Sequence, residues 1–329
     1  MSKKYDLTHF DYHILKDMSI KELDELSEEI RLKIIDTVSH NGGHLSSNLG
    51  IVELTIALLR EFDPLKDDIL FDVGHQAYTY KLLTGRDISD IRTKDGLYPF
   101  QSLEESKYDK FEAGHSSTSL SVALGMCAAK KLRGDDSYTV AVIGDASIAN
   151  GLAFEALNNL DHNKYSKLIV IINDNGMSIS EPQGSLAKFF NELRTSSFYQ
   201  SSAALYKKMF NNKCFNYVYR LGKSIKNSIK RLFIGTNFFS YFDASYLGPI
   251  DGHNFKKLSK FLKRSKEIEE SVILHVRTTK GKGYKPAEED KTGYWHGATP
   301  FDISTGKPLK EHEDTVSFSQ YIFLCRIVP

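Results

Sequence analysis

Two short polar clusters follow apolar runs in this sequence. Gly144-Asp145 closes Tyr138-Thr139-Val140-Ala141-Val142-Ile143, and Asn173-Asp174-Asn175 closes Leu168-Ile169-Val170-Ile171-Ile172. An acid and an amide on neighbouring strand ends can offer oxygens to one hard cation, and Mg²⁺ prefers few protein ligands alongside water and phosphate oxygens. A helix starting near Asn150 would aim its N-terminal dipole at an anion. Together these residues read as a site for a metal-bridged diphosphate, although each acid alone reads equally well as a turn or N-cap residue. Three histidines lie in glycine-bearing turns: Gly43-His44-Leu45, Gly74-His75-Gln76 and Gly114-His115-Ser116. Glycine lets backbone approach a ligand closely, and imidazole can donate, accept or transfer protons near neutrality. Their common context points to a shared pocket. His253, in Gly248-Pro249-Ile250-Asp251-Gly252-His253, reads as a turn residue. The chain has no GxxxxGK[ST], no GxGxxG after a strand, no HExxH and no GxSxG, which turns the reading away from P-loop, dinucleotide, zinc-peptidase and serine-hydrolase chemistry.

The elements that would carry these residues can be read from periodicity. Leu23, Leu26, Ile30, Ile34 and Val38 recur at helical spacing, which predicts a helix over 19–39. Ser19 with Glu22 forms a capping box at its start, and Asn41-Gly42-Gly43 stops it. Further helices are expected over about 51–62, 118–133, 150–159 and 254–265. Short buried strands are expected at 69–72, 138–143, 168–172 and 272–276. Continuous apolar runs alternating with helices imply a parallel sheet covered on both faces. The fold class is therefore α/β, doubly wound, with a mainly parallel sheet flanked by helices.

Residues 181–240 depart from this pattern. They hold ten Lys or Arg but only two acids, Glu181 and Glu192, with dense aromatics from Phe189 to Tyr219. They read as a helical, basic excursion or lid on the same domain, with a membrane-surface or partner-binding segment as the alternative. Over the whole chain 43 Lys and Arg balance 42 Asp and Glu, so the basic excess of a general nucleic-acid binder is missing. Cys127, Cys214 and Cys325 are widely separated, so neither a disulfide framework nor a cysteine zinc site is expected. With no apolar stretch of about 18 residues and a polar start, neither a membrane span nor a signal peptide is expected, and a cytoplasmic enzyme is the default.

Taken in order, the segments resemble the 1-deoxy-D-xylulose-5-phosphate synthase family. The resemblance runs through Ser39-His40-Asn41-Gly42-Gly43-His44-Leu45-Ser46-Ser47-Asn48, Phe71-Asp72-Val73-Gly74-His75-Gln76, Lys81-Leu82-Leu83-Thr84-Gly85-Arg86 and Ala113-Gly114-His115-Ser116-Ser117-Thr118-Ser119. It continues through Asn173-Asp174-Asn175-Gly176-Met177-Ser178, Gly248-Pro249-Ile250-Asp251-Gly252-His253 and Lys280-Gly281-Lys282-Gly283-Tyr284, covering about residues 8–308. It implies thiamine diphosphate bound through Mg²⁺, with Asp145, Asn175 and the Met177 carbonyl on the metal. It implies cofactor contacts from His75, Gly114, His115, Ser116, Ala146, Ser147, Asn175 and Tyr284. His44 and His296 are the implied catalytic histidines. The implied reaction condenses pyruvate with glyceraldehyde 3-phosphate, giving 1-deoxy-D-xylulose 5-phosphate and carbon dioxide, a precursor for isoprenoids and thiamine.

Two departures from the family pattern stand out. Ala146 occupies the second glycine of the Gly-Asp-Gly signature. It is tolerated if only smallness matters there, and harmful if the position needs a positive φ. Family members also carry a pyrimidine-binding domain whose glutamate has no counterpart here. Residues 1–305 are expected to form the diphosphate-binding domain, and 306–329 a linker with the truncated start of the next. The resemblance thus implies a homodimer, a separate pyrimidine-domain polypeptide, or both. Two other roles stay open: a subunit of a split transketolase acting on another ketose phosphate, and a non-catalytic pseudo-subunit.

Overall fold

The computed structural model describes residues 4–161, 165, 167–176, 239 and 242–309. At its centre lies a five-stranded sheet: β1 Asp68–Phe71, β2 Thr139–Gly144, β3 Leu168–Asp174, β4 Ala244–Asp251 and β5 Ser271–Arg277. The strand order is β1-β2-β3-β5-β4. All neighbours pair in parallel, with Ala141 opposite Val170 and Val170 opposite Ile273.

Strict alternation splits the strand residues between two cores. Ile69, Phe71, Val140, Val142, Ile169 and Ile171 join one apolar cluster, and Leu70, Ala141, Ile143, Val170 and Ile172 join the other. The first is roofed by α1 (Ile20–Asn41), α3 (Val52–Glu61) and a late helix, here α8 (Phe255–Lys266). The second is roofed by α5 (Ser119–Arg133) and α7 (Gly151–Asn158). Both sheet faces must be covered because β1 to β3 have no polar face, and the expected doubly wound class follows.

The capping box at Ser19 and Glu22 forms as predicted, and all five apolar positions of α1 are fully buried. The helix expected over 51–62 is α3, and the unexpected short helix α2 (Leu45–Gly50) precedes it, with Ile51 at the junction. Strand β4 and the short helix α4 (Tyr78–Leu83) have no counterpart in the sequence reading. Two further short helices are α6 (Asp145–Ile148) and α9 (Lys285–Glu288), and 3₁₀ turns lie at Tyr12–Lys16, Ile88–Asp90 and Tyr294–His296. The basic excursion and Met177 lie outside the described residues, apart from Phe239.

Candidate active site

The carboxyl ends of β1, β2 and β3 open into a cavity of about 440 Å³, the usual place for a ligand in an open α/β sheet. Each strand contributes the polar residue that follows its apolar run. Asp72 comes from β1, Asp145 from β2, and Asn173 with Asn175 from β3. Gly114 and Ser116 line the wall near the start of α5, while Ala146 and Ser147 present the first turn of α6.

Three histidines line the same cavity. The rings of His44 and His75 lie 5.3 Å apart between centroids, His44 and His296 5.6 Å, and His75 and His296 5.3 Å. The chain brings them together from distant places. His44 is the N-cap of α2, His75 follows β1, and His296 ends a short 3₁₀ turn, Tyr294–His296. A two-residue bridge joins Gly43 to Ala298, with N–H to O distances of 2.8 Å in both directions. Gly43 has φ +140°, and a Cβ there would lie 2.8 Å from the Tyr78 hydroxyl. Only glycine lets the backbone pass this close.

Burial and mutual repulsion keep this trio neutral. Desolvation, followed by the proximity of His296 and Arg92, lowers His44 to about 4. Desolvation, then His44, His296 and Lys280, lowers His75 to about 3. His296 is lowered by burial and by Lys280. Lys280 lines the same cavity and is itself lowered by burial, against the pull of Asp290 and Asp145. Neutral imidazoles beside an ammonium offer donors, acceptors and proton carriers without piling up positive charge.

Two fully buried residues hold the loops in place, and sequence reasoning missed both. Asn48 donates through Nδ2 to the carbonyls of His44 (2.6 Å) and His75 (2.8 Å), and its Oδ1 accepts from Tyr78 N (3.0 Å). Asp72 accepts from the N–H groups of Ser117 (2.8 Å) and Ser119 (3.2 Å), pinning the turn that carries Gly114 and Ser116. Asp72 follows a buried strand just as Asp145 does, so the rule that found one acid could have found the other. Asn173 bonds Gln76 and Thr278 with its two side-chain ends, at 3.1 and 2.6 Å, which fixes the rim at β3.

The residues present suit a metal-bound diphosphate. Asp145 is buried, and its carboxylate accepts from Gly176 N at 3.2 Å, which ties the ends of β2 and β3 together beside Asn175. Among the described residues no three His, Cys, Asp or Glu converge as a complete metal cage. One carboxylate, one amide and ligand oxygens are what Mg²⁺ accepts. His44 Nδ1, His75 Nδ1 and Ser47 Oγ are buried polar atoms of cavity-lining residues, without a hydrogen-bond partner among the described residues. Such atoms call for a partner. Ala146 lies in α6 and does not belong to the residues with positive φ, so the helical backbone accepts its methyl group without strain.

Two expected residues stand elsewhere. His115 is exposed and does not line the cavity, and His296 takes the third place in the histidine cluster. Tyr284 caps α9 behind the wall. Its hydroxyl donates to the Ile303 carbonyl at 3.0 Å and its ring meets Trp295 edge-on, so it also does not line the cavity.

Known proteins match this architecture in both sequence and structure. A family model described as 1-deoxy-D-xylulose-5-phosphate synthase matches residues 9–278. The chain belongs to the 1-deoxy-D-xylulose-5-phosphate synthase family. The synthase of Bacillus licheniformis is 45% identical over 312 residues, covering 94% of this chain and 49% of the relative. That of Macrococcus caseolyticus is 43% identical over 314 residues, covering 94% and 50%. The chain therefore spans about half the length of the curated relatives it matches. Transketolase from Leishmania mexicana superimposes with a TM-score of 0.58 at 18% identity, covering 93% of this chain and 44% of that one. Transketolase from Campylobacter jejuni gives 0.58 at 20% identity, covering 85% and 41%, and both share the fold. The family is one of transferases that use thiamine diphosphate and a divalent metal. Among the described residues no helix is long and apolar enough to cross a membrane.

Proposed function

We propose that this chain is the diphosphate-binding half of a 1-deoxy-D-xylulose-5-phosphate synthase site, holding thiamine diphosphate through Mg²⁺. In this reading residues 1–305 are the diphosphate domain, and 306–329 lead into a pyrimidine-binding domain. A second polypeptide supplies the pyrimidine half, and the family's homodimer is the expected assembly. The observation that carries the reading is the meeting of Asp145 and Asn175, from adjacent strand ends, in one cavity with three neutral histidines. Asp145, Asn175 and the Met177 carbonyl would hold the metal. His75, Gly114, Ser116, Ala146 and Ser147 would hold the cofactor, with His115 and Tyr284 as family-implied contacts that stand off the cavity wall. The sparse cysteines fit work in the reducing cytoplasm.

The proposed reaction joins pyruvate to glyceraldehyde 3-phosphate, forming one carbon–carbon bond, releasing carbon dioxide and taking up one proton. Thiamine diphosphate, when bound, supplies a carbon nucleophile and an electron sink. The chain's own residues do the remaining work. Asp145 and Asn175 would fix the position of the metal, and the Gly114 turn would place backbone against the ligand. His44 and His296 stand where they can hold or hand over a proton, or donate to a developing alkoxide oxygen. Their neutrality in the ligand-free chain suits this work, because an anionic ligand raises imidazole basicity when it arrives.

The test has two stages. Calorimetry should detect thiamine diphosphate binding that requires Mg²⁺ and is lost in Asp145→Asn. With a family pyrimidine-domain polypeptide added, pyruvate and glyceraldehyde 3-phosphate should be consumed together. Binding indifferent to Mg²⁺, or turnover of ketose phosphates but not pyruvate, would refute the reading.

A further inference from the structure

Lys280 reaches the cavity on a segment, Thr279–Gly283, that is clamped from several sides. Gly281 N donates to Ser46 O at 2.8 Å. A Cβ on Gly50 would lie 2.8 Å from the Thr279 carbonyl, so the segment runs against bare backbone of α2. On another side, Thr279 N donates to His253 Nε2 at 2.8 Å. A backbone amide can only donate, so Nε2 carries no proton and Nδ1 is the protonated nitrogen. That Nδ1 meets Glu53 Oε2 at 3.0 Å.

Glu53 is well fixed. It is 4% exposed, its Oε2 also accepts from Arg31 Nη2 at 2.6 Å, and Lys282 Nζ lies 3.2 Å from Oε1. Burial opposes its charge, but hydrogen bonds from His253 and Arg31 prevail and hold its carboxyl at about 2. A carboxylate, an imidazole and a backbone amide thus form one chain of contacts from α3, through the turn before α8, to the segment bearing Lys280. Neither Glu53, His253 nor Thr279 lines the cavity.

We infer that His253 is a positioning residue: held in one tautomer by Glu53, it anchors the Thr279 amide and so places the Lys280 ammonium beside His75 and His296. The inference depends on the diphosphate reading only for its second readout. Histidine was read from the sequence as a turn residue here, and β4 does end beside it. The two opposed hydrogen bonds on its ring are what a turn residue does not need.

The first readout requires no ligand. Histidine carbons labelled in the full chain report the titration of His296 by NMR. Lys280→Met removes a neighbouring cation and should move the His296 midpoint upward. His253→Ala should move it upward too, and the double variant should add nothing beyond Lys280→Met. His253→Gln, whose side-chain oxygen can accept from Thr279 N, should keep the wild-type midpoint. His253→Leu fills the ring's volume without an acceptor and serves if the alanine variant does not fold. An unchanged midpoint in the alanine or leucine variant, while Lys280→Met shifts it, overturns the inference. So does a glutamine variant that behaves like alanine.

The second readout is the dissociation constant for thiamine diphosphate with Mg²⁺. It should rise about tenfold in His253→Ala and stay within about twofold in His253→Gln, the range typical of residues that orient ligand-binding groups. A wild-type chain that binds no thiamine diphosphate refutes the ligand reading, and the His296 titration then decides the positioning role alone.

Discussion

Asn48 offers a direct test of how the histidine cluster is assembled. Its side chain is fully buried and makes three hydrogen bonds, to the His44 carbonyl, the His75 carbonyl and the Tyr78 amide. Asn48→Ala deletes all three and leaves two carbonyls and one amide unpaired in the interior. At about 1 kcal/mol for each bond, with some relief from water entering the space, the loss comes to roughly 2–4 kcal/mol. If the chain unfolds in one transition, that lowers its midpoint by roughly 5 °C, since larger chains shift by about 2 °C per kcal/mol. Differential scanning calorimetry measures this directly. Asn48→Asp supplies the control: it keeps shape and the acceptor for Tyr78 but faces two carbonyls with no donor. It should destabilise as much as alanine does. A loss below about 1 kcal/mol for alanine, or a benign aspartate, would mean that packing alone holds the two turns together.

Other perturbations follow from the same geometry. Asp72→Ala frees the amides of Ser117 and Ser119, so hydrogen exchange across 113–119 should quicken while β2 and β3 stay protected; uniform exchange would refute the pin. His44 and His75 are lowered to about 4 and about 3, below the free value of 6.5, so the unfolded chain binds more protons through that window. Stability should therefore be complete above pH 6.5 and fall as the pH drops through the window, with a slope of up to about 1.4 kcal/mol per pH unit for each histidine. Urea midpoints at several pH values should show the slope reduced in His44→Gln and in His75→Gln, and an identical slope in all three proteins contradicts the assignment. Ala146→Gly should leave the dissociation constant for thiamine diphosphate within about threefold and lower stability by roughly 0.5–1 kcal/mol, because glycine only loosens a helical turn there. A marked gain in affinity would show that the methyl group does obstruct the ligand.

Much of the frame could be read from residues alone. The apolar runs ending in Gly144-Asp145 and Asn173-Asp174-Asn175 are strands buried on both faces, which is why they read so clearly. Ser19 and Glu22 announced α1 by local chemistry alone. Strand β4 was hidden for the opposite reason: it is an edge strand, half-exposed over Ala244–Pro249, and contains Gly248-Pro249, which edges tolerate. Helix α4 is short and has no side-chain cap, so neither periodicity nor capping could reveal it. Glycine context pointed to His44 and His75, which meet in the cavity, and equally to His115, which does not line it, because a turn's composition does not say which way its side chain faces. His296 came from family resemblance, and no local signal distinguishes it. Asn48 and Asp72 act through backbone groups far away in sequence, and those partners appear only once the chain is folded.

The bridge between Gly43 and Ala298 also bears on the order of assembly. It joins the end of α1 to a stretch near the far end of the described chain, a contact between residues far apart in sequence. Contacts of this kind form late, since the intervening strands must be in place before closure is rewarded. The sheet, whose last strand ends at Arg277, and the core under α5 and α7 can therefore form while the third histidine is still unplaced, whereas the other core also needs Trp295, Ala298 and Phe301. During synthesis, a ribosome that has released β5 has yet to deliver His296. Placement of His296 is thus the step that completes the cluster, since a ligand meeting the chain without it would find only two of the three imidazoles.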